Sequence, residues 1–465
     1  YRFALSSVDE IVPIEDRLNF KEYFLKNVHI IHYHVPKDID LNHYFEIMNS
    51  RGEQLEKHEI IKARMLSRLS DKNDSYVFSK VWENCSKMNE YIQQSFIKTG
   101  AGLFCNYLSE LRVVNFEQLK MIFDSKELGD SKKIKDYIDE LYIPKNKSSK
   151  EREKTDAFQP IIDFPNFLLV VLKITRILDE PEFDPLSFNL DDKELINEFD
   201  AVVIDEAFVK KFILNLLKAK YFLDNFIVHH SYEEDTMENN PWFLQKFVHE
   251  NNKSYLKNLF DYDDYSQKAA VQLLSMFEVC FTARQRKNYL FYCLLFLFKY
   301  DIKPYKTWLK NYYKFIERLA NKYLFDIYMD KSLLNEINVP LPGSFDKVVI
   351  KENKLHENTF NKLKKSAFIE RFNSIYGDGN NKSKGIPLYI FNYLDFKIWQ
   401  KYANELRGES IPKSSAERKA FFNELGCTDF ELDIFKLFYF SRTRRSLEHY
   451  YPQATATGNN GNLDE

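Results

Sequence analysis

Glycine is scarce in this chain: 12 residues in 465, against 41 Phe and 29 Tyr. So few glycines leave few natural sites for left-handed turns, which favours long helices over a many-stranded sheet. Cysteine is sparse as well. Cys85, Cys105, Cys280, Cys293 and Cys427 are scattered, odd in number and form no C-x-x-C pair. That pattern excludes a disulfide framework and a Cys-type zinc site, and it fits a reducing cytoplasm. A basic excess is missing too: the formal net charge is −3, which argues against a dedicated nonspecific nucleic-acid binder but leaves room for a local basic patch. The most apolar stretch, 289–298, falls well short of the ~20 apolar residues a membrane span needs and reads as a core helix. No secretory signal opens the chain, and no membrane partner is expected.

What is present is a long run of helical pattern. A length of 465 residues suits two or three domains at roughly 100–200 residues each. The richness in Phe, Tyr, Lys, Asn and Ile could supply aromatic platforms for stacking bases, but a bias toward AT-rich codons is the better explanation, so aromatic content alone says nothing about function. Residues 15–27 carry mixed helical spacing. Residues 28–35 (VHIIHYHV) are β-branched and aromatic and stop at Pro36, as a strand does. Asp38 or Asp40 can cap a short helix over 42–48. From about 57 to 340 almost every segment reads as amphipathic helix, beginning with Ile61, Met65 and Leu69 at i, i+4, i+8. Polar interruptions fall at 126–132, 144–156, 179–194, 231–241 and 261–266, and 144–156 (PKNKSSKEREKTD) has no apolar residue to bury. A polar loop at 376–385 precedes a helix at about 386–406. The expected class is mainly α (α+β): a large multi-helix body with minor β in the N-terminal segment and near the C-terminal end.

Three groupings look chemical and are better read as structure. VVIDEA (202–207) has the shape of a Walker B strand, with Asp205 and Glu206 as its acids. GDGNNKS (377–383) faintly resembles a phosphate loop. The order is wrong, no strand leads into the loop, and Asn381 stands where a Gly is needed, so a helix edge and a polar loop are expected. His29, His32 and His34 lack a Cys or carboxylate at close ligand spacing for a metal. His229 and His230, followed by Glu233, Glu234 and Asp235, are expected to form a solvated loop.

Two segments carry more. In 44–66 (YFEIMNSRGEQLEKHEIIKARML) a helix runs into Asn49-Ser50-Arg51-Gly52 and out into a second helix. Gly52 suits a left-handed turn, Asn49 can bond backbone groups there, and Arg51 offers a planar fork for phosphate or carboxylate. A turn held by local hydrogen bonds is the plain reading, and an anion site is the sharper one. Near the end, 442–453 (RTRRSLEHYYPQ) places Arg442, Arg444 and Arg445 before Glu448-His449. A histidine can act as general base on water, a neighbouring carboxylate can bind a divalent metal, and arginines can hold a DNA backbone.

The first segment is similar to a pattern in the GmrS half of the GmrSD-type restriction endonucleases, F-x-x-x-N-x-R-G-x-x-L-x-x-x-E/D-x-x-K-A, here Phe45, Asn49, Arg51, Gly52, Leu55, Glu59, Lys62 and Ala63. Glu56 and Lys57 depart from it, standing where Ser or Thr usually caps the second helix. Residues 164–174 and 284–297 also resemble that family's helical body. The second segment, S-x-E-H-x-x-P-Q (446–453), looks like the opening of the HNH-type nuclease domain of the GmrD half. The resemblance implies a nucleotide-dependent, modification-directed endonuclease of anti-phage defence, cytoplasmic and bacterial. His449 would be the general base and Glu448 would stand beside a divalent metal (Mg or Mn). Arg442, Arg444 and Arg445 would contact DNA, and Asn49, Arg51 and Gly52 would form a nucleotide-binding or structural turn. A nucleoside triphosphate and modified phage DNA would be its partners, and a homo-oligomer stays open.

The domains expected on this basis are a GmrS-like part at 1–70, a helical region at 71–385, and a linker helix with the start of a ββα-metal nuclease domain at 386–465. The family's Asp-Gly-Gln-Gln-Arg nucleotide motif and the downstream Asn or His of an HNH unit are not found. The chain also begins at Tyr1 without Met, so the expectation is a piece of a longer protein with neither active site complete. The rival expectation is a non-catalytic helical scaffold or DNA-recognition subunit of a defence complex.

Overall fold

A computed structural model describes residues 13, 16–27, 56–97, 103–112, 115–127, 158–231, 241–281, 283–300, 305–358, 360–377, 385–406 and 438–442. The chain divides into two compact units, Tyr1–Glu56 and Lys57–Glu465. In the first unit the described element is helix α1 (Arg17–Asn27), which leaves Leu18 and Leu25 exposed. The expected strand at 28–35 and short helix at 42–48 lie outside the described residues.

The second unit is mainly helical with minor β, as the composition led one to expect. It opens with α2 (Lys57–Leu66) and α3 (Lys72–Cys85). Ile61 and Met65 of α2 are fully buried, so the i, i+4 spacing is a true core face. The short α4 (Ile92–Ser95) and α5 (Phe116–Glu127) lead to α6 (Phe164–Asp179). Asp163 starts α6 by accepting the Asn166 N–H at 2.8 Å, and Pro165 occupies its first turn, where a missing N–H costs nothing. The α6 sequence is apolar nearly all round, and residues 167–172 have no exposure. Such a helix has no solvent face and belongs in the middle of a body.

Then come α7 (Leu195–Asp200), α8 (Glu206–Phe226), α9 (Asp264–Cys280), α10 (Ala283–Lys299) and α11 (Tyr305–Lys322), of which α7, α8 and α10 pack on α6. The apolar run at 289–298 lies in α10, which packs on α6, α8 and α11. The chain then folds through α12 (Ser344–Val349), α13 (Lys365–Tyr376) and α14 (Leu388–Leu406), the last lying along α9. None of the described helices is long and apolar enough to cross a membrane.

Lys173 points from the centre of α6 into this core with no exposure. Its ammonium meets Asp346 of α12 at 2.7 Å, and the other oxygen of Asp346 accepts the Tyr292 hydroxyl of α10 at 2.6 Å. The Phe291 ring, 4.7 Å from the Lys173 nitrogen, supplies a cation–π contact. A buried ammonium needs such partners, and here they tie three helices together.

Among the described residues the strands form four separate antiparallel pairs: β1 (Phe104–Cys105) with β2 (Glu110–Leu111), β3 (His229–His230) with β4 (Trp242–Phe243), β5 (Gln245–Glu250) with β6 (Lys253–Asn258), and β7 (Ile350–Lys351) with β8 (Lys354–Leu355). The reading of 57–340 as almost continuous helix is therefore corrected at β5–β6. Phe247 faces Leu256 and Val248 faces Tyr255 across that hairpin. Its turn is Asn251-Asn252, with φ of 50° and 60°. Asparagine tolerates this left-handed region because its short amide can bond the backbone locally. It does so again at Asn106, Asn338 and Asn353. Asparagine thus does in this chain what scarce glycine does elsewhere.

Candidate functional site

Of the residues singled out in the sequence, Asn49, Arg51, Gly52, Arg444, Arg445, Glu448 and His449 lie outside the described residues. So do His29, His32 and His34. Arg442 is described. It ends a short segment, 438–442, that lies on the second unit. The Gln272 amide of α9 donates to the Phe438 carbonyl at 2.5 Å, and the Trp242 indole N–H donates to the Phe440 carbonyl at 2.6 Å. Phe440 is buried, edge-on to Phe438 at 5.0 Å. Arg442 donates to the Gln159 side-chain oxygen at 2.7 Å, and the Gln159 N–H bonds the His230 carbonyl at 2.9 Å. Alternate backbone carbonyls, at 438 and 440, thus take side-chain donors from α9 and β4 and hold this segment in place.

Next to Gln159 is a cavity of about 480 Å³ that holds Asp163, Asp192, Glu278 and Lys287. Its charges are in structural use. Asp163 caps α6, Lys287 reaches the Asn166 oxygen at 2.5 Å and the Leu190 carbonyl at 2.9 Å, and Glu278 takes the Tyr289 hydroxyl. Among the described residues no group of three or more His, Cys, Asp or Glu is arranged to hold a metal. Residues 202–205 form no strand: the Asp205 carboxylate accepts the Phe208 N–H at 2.7 Å as the cap of α8, and Glu206 pairs with Lys210 at 2.9 Å. That is the helix edge expected of VVIDEA.

His229 and His230 require a correction. They are 1% and 5% exposed, on β3, instead of in a solvated loop; residues 233–235 lie outside the described residues. The reason is the exit of α8, which passes beneath the β5–β6 hairpin. There Lys220 and Asp224, one turn apart and both without exposure, pair at 2.5 Å. Asp224 also accepts the Ile92 N–H at 2.7 Å, and Lys220 donates to the Glu90 carbonyl at 2.8 Å. The Asn225 oxygen accepts from the Gln93 amide at 2.9 Å and from the Phe247 N–H at 3.0 Å. His229 contacts the Asp224 carbonyl through Nε2 at 2.9 Å and stacks on Phe158 at 3.8 Å. Burial pushes its pKa down to about 3, with the Lys220 charge adding to the effect. Burial also pushes Asp224 up to about 6, against the opposing pull of Lys220. A neutral imidazole sealed from water in this way orders the core.

A second constellation, which the sequence reading passed over, lines a cleft of about 460 Å³. Here α11 runs into a π-helical turn, Tyr323–Tyr328, a distortion of the helix often found at functional sites. Lys322, 3% exposed, pairs with Asp326 at 2.8 Å, and the other Asp326 oxygen accepts the Asn361 N–H at 2.8 Å. Asp330 accepts the Ser332 N–H at 2.9 Å and its hydroxyl at 2.7 Å. Across the cleft stand Lys347 of α12, Lys351 of β7 and the half-buried His356. His356 is held below its ordinary pKa by burial first and then by the charges of Lys322 and Lys351. These residues span 322–361 at no regular spacing, so no motif announces them. The chain matches no protein-family model, no curated protein and no solved structure.

Proposed function

We propose that this chain is the helical body and the nuclease entry of a nucleotide-dependent, modification-directed DNA endonuclease resembling the GmrSD type. The observation that carries the reading is a pair of sequence segments in family order, 45–63 and 446–453, several hundred residues apart. His449 would take a proton from water, and a divalent metal beside Glu448 would stabilise charge on the attacked phosphate. Arg442, Arg444 and Arg445 would hold the DNA backbone. The segment 438–442 supports this reading, because its hydrogen bonds tie the chain just before 446–453 to the helical body.

The test is cleavage of plain and phage-modified plasmid by the full-length protein. Magnesium or manganese is supplied, with and without nucleoside triphosphates, beside a His449→Ala variant. Cutting that needs the metal and disappears in the variant is the expected result. Intact plasmid under every condition, or equal cutting by the variant, makes the chain a non-catalytic scaffold or DNA-recognition subunit instead.

A further inference from the structure

The cleft beside the π-helical turn has an unbalanced set of charges. Lys322 and Asp326 neutralise each other, and Asp330 accepts two hydrogen bonds from Ser332, so the lining keeps a surplus of one cation. Lys347 and Lys351 are exposed and have no carboxylate partner among the described residues. Lys347 stands on α12 and Lys351 on β7, and both line the same cleft. The Glu352-Asn353 turn between β7 and β8 has φ of 49° and 56°, and it holds Lys351 at a strand end while α12 holds Lys347. Both cations therefore project from ordered backbone. Phe360, stacked on Phe325 at 5.6 Å, forms an apolar wall of the cleft, and Ser332 and Asn361 bring polar groups to its edge.

We propose that this cleft binds a small phosphate-bearing anion, with Lys347 and Lys351 as its cationic clamp and His356 as a further hydrogen-bond donor. Lysine ammonium groups are compact point charges suited to phosphate oxygens. The volume of about 460 Å³ falls within the range of small-molecule sites and is concave, unlike a surface for duplex DNA. The anion gains charge-assisted hydrogen bonds from lysines that no carboxylate among the described residues satisfies. The inference does not depend on the nuclease reading, and its test needs no DNA cleavage.

Calorimetric titration of the full chain with inorganic pyrophosphate and, separately, with ribose 5-phosphate measures binding at low ionic strength. Saturable binding of one equivalent is expected from at least one of them. The tighter of the two identifies the source as inorganic phosphate or a phosphate ester. In the Lys347→Ala/Lys351→Ala variant binding weakens about tenfold or more, since two charge-assisted contacts are lost. Lys268→Ala, which removes an exposed lysine of α9 already paired with Asp264, leaves it unchanged. Circular dichroism and the urea midpoint confirm that each variant is folded. No saturable binding, equal binding by the double variant, or equal weakening in Lys268→Ala overturns the proposal. It is also overturned if a short single-stranded oligonucleotide displaces pyrophosphate and binds far more tightly through the same two lysines, because the cleft then tracks nucleic-acid backbone.

Discussion

Lys220–Asp224 and Lys322–Asp326 are the same pair at the same i, i+4 spacing, and the protein uses them differently. The first has no exposure at either side chain, and backbone groups of Glu90 and Ile92 occupy the remaining valences. The second lies where α11 becomes a π turn and opens onto a cleft with two further lysines. In the first region the charges meet each other's needs and fix how α8 and α4 join, while the neighbouring Asn225 holds the β5–β6 hairpin. In the second, the pair is only the floor of a site, and the surplus charge faces solvent. The difference lies in surroundings that the spacing does not encode.

The sharpest way to break this comparison is to remove one ammonium from each pair. Lys220→Met leaves the Asp224 carboxylate buried without its counter-charge and should cost about 3–5 kcal/mol in urea unfolding. Adding Asp224→Leu should recover part of that loss, because the stranded carboxylate is gone while the Ile92 N–H and the Glu90 carbonyl still lack their side-chain partners. Lys322→Met should cost only about 1 kcal/mol, since Asp326 keeps the Asn361 N–H and reaches solvent through the cleft. Equal losses in the two single variants would erase the distinction drawn between the regions.

A smaller effect comes from protons. His229 is held near 3 in the folded chain and returns to about 6.5 when unfolded, so the unfolded state binds the extra proton. Its contribution is complete above pH 6.5 and is lost as pH falls toward 3. Asp224 runs the other way: with its pKa raised to about 6, it contributes stability below its ordinary range that is lost as pH rises through 6. The informative quantity is therefore the difference between wild type and His229→Phe. Wild type should lose on the order of a few kcal/mol more than the variant between pH 6.5 and the acid limit of folding. Parallel stability curves would mean that the imidazole is not sealed in the folded state.

The smallest expected effect tests the cleft. Lys347→Ala and Lys351→Ala, singly or together, should change stability by less than about 0.5 kcal/mol in either direction, as exposed lysines without a carboxylate partner do. A stability loss above that would assign the two lysines a structural role and bring the two regions closer together.

The sequence by itself determined the mainly helical class and several local details. The helix edge at 202–207, where Asp205 caps α8, and the buried face of Ile61 and Met65 are the clearest. Each depends on a cap or a side-chain period within a turn or two, where backbone hydrogen bonds are formed. The run at 289–298 is legible as core because nothing in it favours water. The β5–β6 hairpin was missed, since its turn is Asn-Asn in a stretch read as helical and few glycines suggested few turns. The residues of the proposed nuclease end rest on sequence segments, with Arg442 alone among the described residues. Only the tertiary structure decided that His229 and His230 are buried, that Lys173 meets Asp346 and that Lys347 and Lys351 flank one cleft with Lys322. Those outcomes depend on side chains tens to hundreds of positions apart, and burial sets the strength and even the sign of a charge's contribution.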